Sequence, residues 1–172
     1  LLLCACVSMV EDNEYYYRML PQVKGIKREI IVMRAQRNAY DAALAVSGAD
    51  IIEIGDADET LEMELEGSIN EKTAAIAYFA STLYQRGSMK FEKVMEIAKK
   101  YKIPVIVDAA AQLPPKENLQ KFTKVGADMV IFSGGKTLCG PQDSGVILGK
   151  KEWIERCIKF GAPEHGICRV SK

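Results

Sequence analysis

The sequence predicts an α/β protein, a three-layer α/β/α arrangement in which a mostly parallel sheet carries helices on both faces. Three observations lead there. Short runs rich in β-branched and apolar residues recur at 29–33, 50–54, 73–80, 103–107, 129–132 and 145–148. Stretches with helical spacing of apolar residues separate several of them, which is the pattern of βαβ units and a parallel sheet. At 172 residues, with 48% hydrophobic and 27% charged content, the chain is long enough for one core and short for two.

Taken in order, residues 1–10 read as a buried helix, and 14–20, with three tyrosines, as an amphipathic continuation or a loop. Pro21 and Gly25 break the chain before the first strand. After the 29–33 strand, Asn38 is placed to cap a helix running to Val46, which Ser47-Gly48 ends. The strand 50–54 closes at Gly55-Asp56. The acidic segment 59–66 reads as a solvated helix or turn rather than a metal site. Ser88 is expected to cap a strong helix, 89–101, with Phe91, Val94, Met95, Ile97 and Ala98 as its apolar stripe. The strand 103–107 ends in Asp108, and Leu113-Pro114-Pro115 turns the chain away. A short helix, Asn118–Val125, ends at Gly126. The strand 129–132 leads into a glycine turn, and 145–148 is followed by an amphipathic helix, Lys151–Phe160, carrying the sole tryptophan, Trp153.

Lys+Arg and Asp+Glu both number 23, so no net charge draws the chain to nucleic acid or an anionic membrane. Five cysteines (Cys4, Cys6, Cys139, Cys157, Cys168) form no CxxC pair, and a single histidine argues against a zinc site. The expectation is a reducing, cytoplasmic setting and no metal. The opening Leu1-Leu2-Leu3 has no initiator methionine. Its apolar run of about ten residues meets Glu11-Asp12, which suits neither a secretory signal nor a membrane span. The chain is therefore expected to be a piece of a longer protein.

Ligands of such sheets bind beyond the carboxyl ends of the strands, and two chemistry-bearing residues fall there. Asp108 ends one strand, and Lys136 stands 28 positions later, on the turn after the next. Lysine on a crowded, glycine-lined turn can lose solvation and become a nucleophilic amine. Asp108 follows five apolar residues and precedes three alanines, a setting in which a carboxylate needs a cationic partner. The pair suits pyridoxal phosphate, with lysine as the Schiff-base residue and aspartate on the pyridinium nitrogen. Ser133, three residues before the lysine, is placed to hold a phosphate oxygen. Gly135-Lys136-Thr137 is not a phosphate-binding P-loop, because Val130 stands where that motif needs glycine and Gly140-Pro141 breaks the helix it requires. Arg34, Arg37 and Arg169 are candidate anion anchors for a substrate carboxylate or phosphate. His165, among Gly, Pro and Glu, reads as a surface loop residue.

The segments Ile103-Pro104-Val105-Ile106-Val107-Asp108-Ala109-Ala110-Ala111-Gln112-Leu113-Pro114-Pro115, Phe132-Ser133-Gly134-Gly135-Lys136 and Gly140-Pro141-Gln142 together resemble a known family. It is the fold-type-I pyridoxal phosphate enzymes related to bacterial selenocysteine synthase (L-seryl-tRNA(Sec) selenium transferase). The Asp-Ala-Ala-Ala-Gln-Leu-Pro-Pro segment looks more like the D-glucosaminate-6-phosphate ammonia-lyase branch. The resemblance implies that Lys136 carries the cofactor, Asp108 pairs with its ring nitrogen and Ser133 helps hold its phosphate. Gln112, Gly140 and Gln142 would be further cofactor-site residues, the last two shaping it with Pro141 near a dimer interface. It also implies that residues 1–172 are most of a large domain, with the phosphate-cup segment and the small carboxyl-terminal domain lying outside them. The implied activity is a lyase acting on a hydroxylated amino acid or amino-sugar acid, in a homodimer or higher homo-oligomer. The alternatives are selenium transfer to seryl-tRNA, with tRNA as partner, and a non-catalytic folding or dimerisation unit.

Overall fold

The computed structural model describes residues 1–161; His165, Cys168 and Arg169 lie outside the described residues. Six strands form one sheet: β1 (Glu29–Met33), β2 (Asp50–Ile54), β3 (Thr73–Phe79), β4 (Val105–Asp108), β5 (Met129–Ser133) and β6 (Gly145–Gly149). Their order is β2-β1-β3-β4-β5-β6. The first five pair in parallel, and β6 runs antiparallel along β5 at the edge. This is the mostly parallel sheet that the sequence predicts.

The helices are α1 (Leu2–Val10), α2 (Glu14–Met19), α3 (Ala42–Val46), α4 (Glu62–Ser68), α5 (Phe91–Tyr101), α6 (Asn118–Val125) and α7 (Lys151–Phe160). Side chains alternate across a strand, and in β1 both sets are apolar. Ile30 and Val32 enter a core with α1, α3 and α7, whereas Ile31 and Met33 enter a second core with α5 and α6. Each such side chain taken out of water stabilises the fold by roughly 1.5–3 kcal/mol. A sheet buried on both faces explains why its strands read as unbroken apolar runs.

Local chemistry sets the element ends. Glu11, at φ 54°, stops α1 before the acidic link to α2. Tyr17 of α2 stacks on Phe160 at 4.5 Å and donates its hydroxyl to the Phe160 carbonyl at 2.6 Å, closing one core. α5 buries its predicted stripe, while Lys100 reaches Glu66 of α4 at 2.7 Å on the wet side. Two boundaries differ from expectation. Ser88 does not cap α5: its hydroxyl turns back to the Tyr84 carbonyl, and the helix starts at Phe91 behind Lys90. Serine competes for nearby backbone in this way whenever a turn offers a carbonyl. The fourth strand begins at Val105 because Pro104 has no N–H for the ladder; its carbonyl still accepts from Ile76 at 3.0 Å.

Candidate active site

Strand parity brings the two predicted polar residues together. Asp108 follows Ile106 by two positions, and Ser133 follows Met129 by four, so both belong to the sheet face that packs on α1. They end adjacent parallel strands. β1 has β2 on one side and β3 on the other, so the winding of the chain reverses at the β1–β3 boundary. Ligands bind at such switch points. A cavity of about 330 Å³ lies at these strand ends, lined by Asp108, Ser133 and Lys136 together with Asn38 and Tyr40 after β1 and Ser81 after β3. An adjoining cavity of about 620 Å³ shares Asp108 and Ser133 and is walled by Leu1, Leu2 and Leu3 at the start of α1.

Asp108 is half-buried, and its Oδ1 accepts from the Ala110 amide at 3.0 Å. Among the described residues, its second oxygen, the Ser133 hydroxyl and the Lys136 amine have no hydrogen-bond or ion-pair partner. These three groups are therefore available to a ligand.

Lys136 sits on the loop between β5 and β6, which folds back on itself. The Gly134 amide donates to Ser144 at 2.9 Å, Gly140 donates to Gly134 at 2.8 Å, and Gln142 donates from Nε2 to Gly135 at 3.1 Å. A Cβ at Gly134 would meet Ser144 Oγ at 2.1 Å, and one at Gly135 would meet Gln142 Cα at 2.5 Å. The two glycines are thus required by the returning limb of their own loop. Thr137 ties the loop to the segment after β4 through the Leu113 carbonyl at 2.7 Å. Lys136 itself is exposed, so the expected crowding does not desolvate it within this chain. Its Nζ lies 5.6 Å from the centroid of the Tyr40 ring.

The other predicted residues are elsewhere. Gln112 donates from Nε2 to the Ala80 carbonyl at 2.7 Å and lines a separate cavity of about 480 Å³ beside α5 and α6. Gly140 and Gln142 close the loop without lining the cavity. Arg37 is held by Asp41 at 2.5 Å and Glu53 at 2.7 Å. The Asp41 hydrogen bond raises the guanidinium pKa above its ordinary value. Arg34 is exposed, 3.4 Å from Glu53. Arg169 lies outside the described residues. Tyr40 and Ser81 line the cavity although the sequence alone does not single them out as site residues. Ser81 carries the same signal as Asp108, a polar residue just past an apolar strand. Among the described residues there is no cluster able to hold a metal ion, and no helix is long and apolar enough to cross a membrane.

The family model for L-seryl-tRNA selenium transferase matches residues 40–170. The chain belongs to that family. It is 36% identical over 159 residues to the D-glucosaminate-6-phosphate ammonia lyase of Salmonella typhimurium (strain 14028s / SGSC 2262), over 90% of this chain and 41% of that protein. To the L-seryl-tRNA(Sec) selenium transferase of Alkaliphilus metalliredigens (strain QYMF) it is 31% identical, over 77% of this chain and 32% of that protein. A solved D-glucosaminate-6-phosphate ammonia-lyase superposes with a TM-score of 0.82 at 31% identity, covering 91% of this chain and 42% of that one. The chain thus spans less than half the length of these relatives. Its fold is that of the fold-type-I pyridoxal phosphate enzymes.

Proposed function

We propose that this protein contributes the cofactor-binding large domain of a pyridoxal-phosphate-dependent lyase that releases ammonia from a hydroxylated amino acid or amino-sugar acid. One observation carries the reading: Asp108, Ser133 and Lys136, from two strand ends and a loop, line a single cavity at the switch point of the sheet. The groups fit the cofactor's chemistry. A lysine amine without an ion pair suits its aldehyde, a carboxylate with a free oxygen its ring nitrogen, and an unbonded hydroxyl its phosphate. The greater identity to the ammonia lyase favours elimination over selenium transfer.

When bound, pyridoxal phosphate supplies a sink for the charge that develops at the substrate Cα. The chain's own groups do the rest. Asp108 would hold a proton on the ring nitrogen, and Ser133 would donate to the phosphate. Lys136 would carry the cofactor and, with its amine freed, would take the Cα proton as general base. The Cβ hydroxyl leaves as water, and hydrolysis of the released enamine consumes one water and yields a 2-keto acid and ammonia.

Incubation of the whole protein, rather than of residues 1–172 alone, with pyridoxal phosphate and D-glucosaminate 6-phosphate tests this. Keto acid and ammonia in equal amounts are expected. Absence of both, with selenium incorporated into seryl-tRNA instead, would transfer the assignment to the activity for which the matched family is named. Neither product, with no cofactor absorbance band, would make the chain a non-catalytic folding or dimerisation unit.

A further inference from the structure

We propose that Tyr40 is a positioning residue for Lys136, and that Arg37, Asn38 and Asp41 form the brace that presents it. The proposal rests on the reading of Lys136 as the cofactor lysine. Lys136 is exposed on a loop, and its long side chain has many rotamers to choose among. Among the described residues, the side chain that meets its amine is the Tyr40 ring at 5.6 Å, within cation–π range. Both residues line the cavity that holds Asp108 and Ser133.

Tyr40 is itself 70% exposed, so apolar packing does not fix it. Its backbone is fixed instead. Asn38 Oδ1 accepts from the Tyr40 amide at 2.9 Å, and Asp41 Oδ2 accepts from the Asn38 amide at 3.1 Å, a reciprocal cap of the short 3-10 turn Ala39–Asp41. Arg37 then clamps the same Asp41 oxygen at 2.5 Å and reaches Glu53 of β2 at 2.7 Å, tying the turn to the sheet. Asp41 is buried, so these bonds work with little competition from water. Arg37 thereby commits Nε to the turn and Nη1 to β2.

The test is competitive acetylation of the lysines in the purified, cofactor-free protein, read lysine by lysine by mass spectrometry. The amine must leave the ring to reach the reagent, so Tyr40→Leu should speed acetylation of Lys136 roughly two- to fivefold, the range of an exposed cation–π contact. Tyr40→Phe, which keeps the ring face, should match the wild type. Lys90 and Lys116 serve as internal references, and their rates should not move. Arg37→Gln should shift Lys136 in the same direction as Tyr40→Leu. An unchanged Lys136 rate in Tyr40→Leu overturns the positioning role. An unchanged rate in Arg37→Gln, with a raised KM for substrate, overturns the brace and makes Arg37 an anion anchor. Borohydride trapping of pyridoxal phosphate in the same samples keeps the two readings apart. Should the trapped group sit on another lysine, the cofactor assignment fails, while the acetylation rates still report on Tyr40 and Lys136.

Discussion

Gly135→Ala puts the loop geometry under direct strain. The added Cβ would lie 2.5 Å from Gln142 Cα and 2.6 Å from its Oε1. Carbon atoms in contact prefer about 3.5–4.0 Å, so the two limbs must part by about 1 Å. The first clash is with backbone, and side-chain rotation cannot relieve it. Overpacking of this kind costs about 1–3 kcal/mol, which for a domain of this size lowers Tm by roughly 2–12 °C. Lys136 is the next residue and moves with the limb, and a misplacement of about 1 Å at a reacting group costs on the order of 10²-fold in rate. Calorimetry and the rate of borohydride-trapped cofactor uptake read the two effects separately. Gly67→Ala is the control: it lies in α4 with open space around its Cβ position. Helix propensity should make that variant more stable by about 0.5–1 kcal/mol. Gly135→Ala with wild-type melting and wild-type uptake would show that the close approach is not a constraint.

The same geometry sets three further outcomes. Asp108→Asn keeps an oxygen for the Ala110 amide, so melting should hold while turnover falls by several orders of magnitude, each tenfold being about 1.4 kcal/mol of barrier; a variant within about threefold of wild type would reduce Asp108 to a turn cap. Asp128 is buried, accepting from the Val105 amide at 2.8 Å and pairing with Lys150 at 2.7 Å. Asp128→Ala orphans that amide and should cost about 1–3 kcal/mol by denaturant titration, with Asp128→Asn, which keeps an acceptor, losing less. The Lys159 hydrogen bond holds the Asp12 carboxyl below its usual range and links the end of α1 to α7. A depressed carboxyl pKa contributes stability above its unfolded value, about 3.9, and that contribution disappears as pH falls through the folded value. Asp12→Asn should therefore flatten the acid limb of Tm against pH; a curve parallel to wild type would contradict the linkage.

Most of the sheet was legible because strands buried on both faces announce themselves as apolar runs, and α5 because its stripe follows the helical period. Asp108 was legible as a strand-end residue and Lys136 as one on the turn after the next strand, and the parallel topology gathers both at one cavity. The partners of Gly134 and Gly135 were not, since a tight turn looks alike whether it meets a ligand or the returning limb of its own loop. The contact of Tyr40 with Lys136 joins residues 96 positions apart, and only the β1-β3-β4-β5 order brings their loops to one edge. Arg37 reads as an anion anchor from its charge, which alone does not reveal its ion pairs with Asp41 and Glu53. Ser88 reads as a cap because a hydroxyl before a helical stripe can turn either to the helix amides or back to a turn carbonyl, and here it donates to the Tyr84 carbonyl.

The central claim is that Lys136 is the residue to which the cofactor attaches. Borohydride reduction of the protein with pyridoxal phosphate, followed by peptide mapping, tests it most directly. The pyridoxyl group should be found on Lys136 in the wild type and should be lost in Lys136→Ala. A label on Lys150 or Lys151, or one that persists in Lys136→Ala, would contradict the assignment.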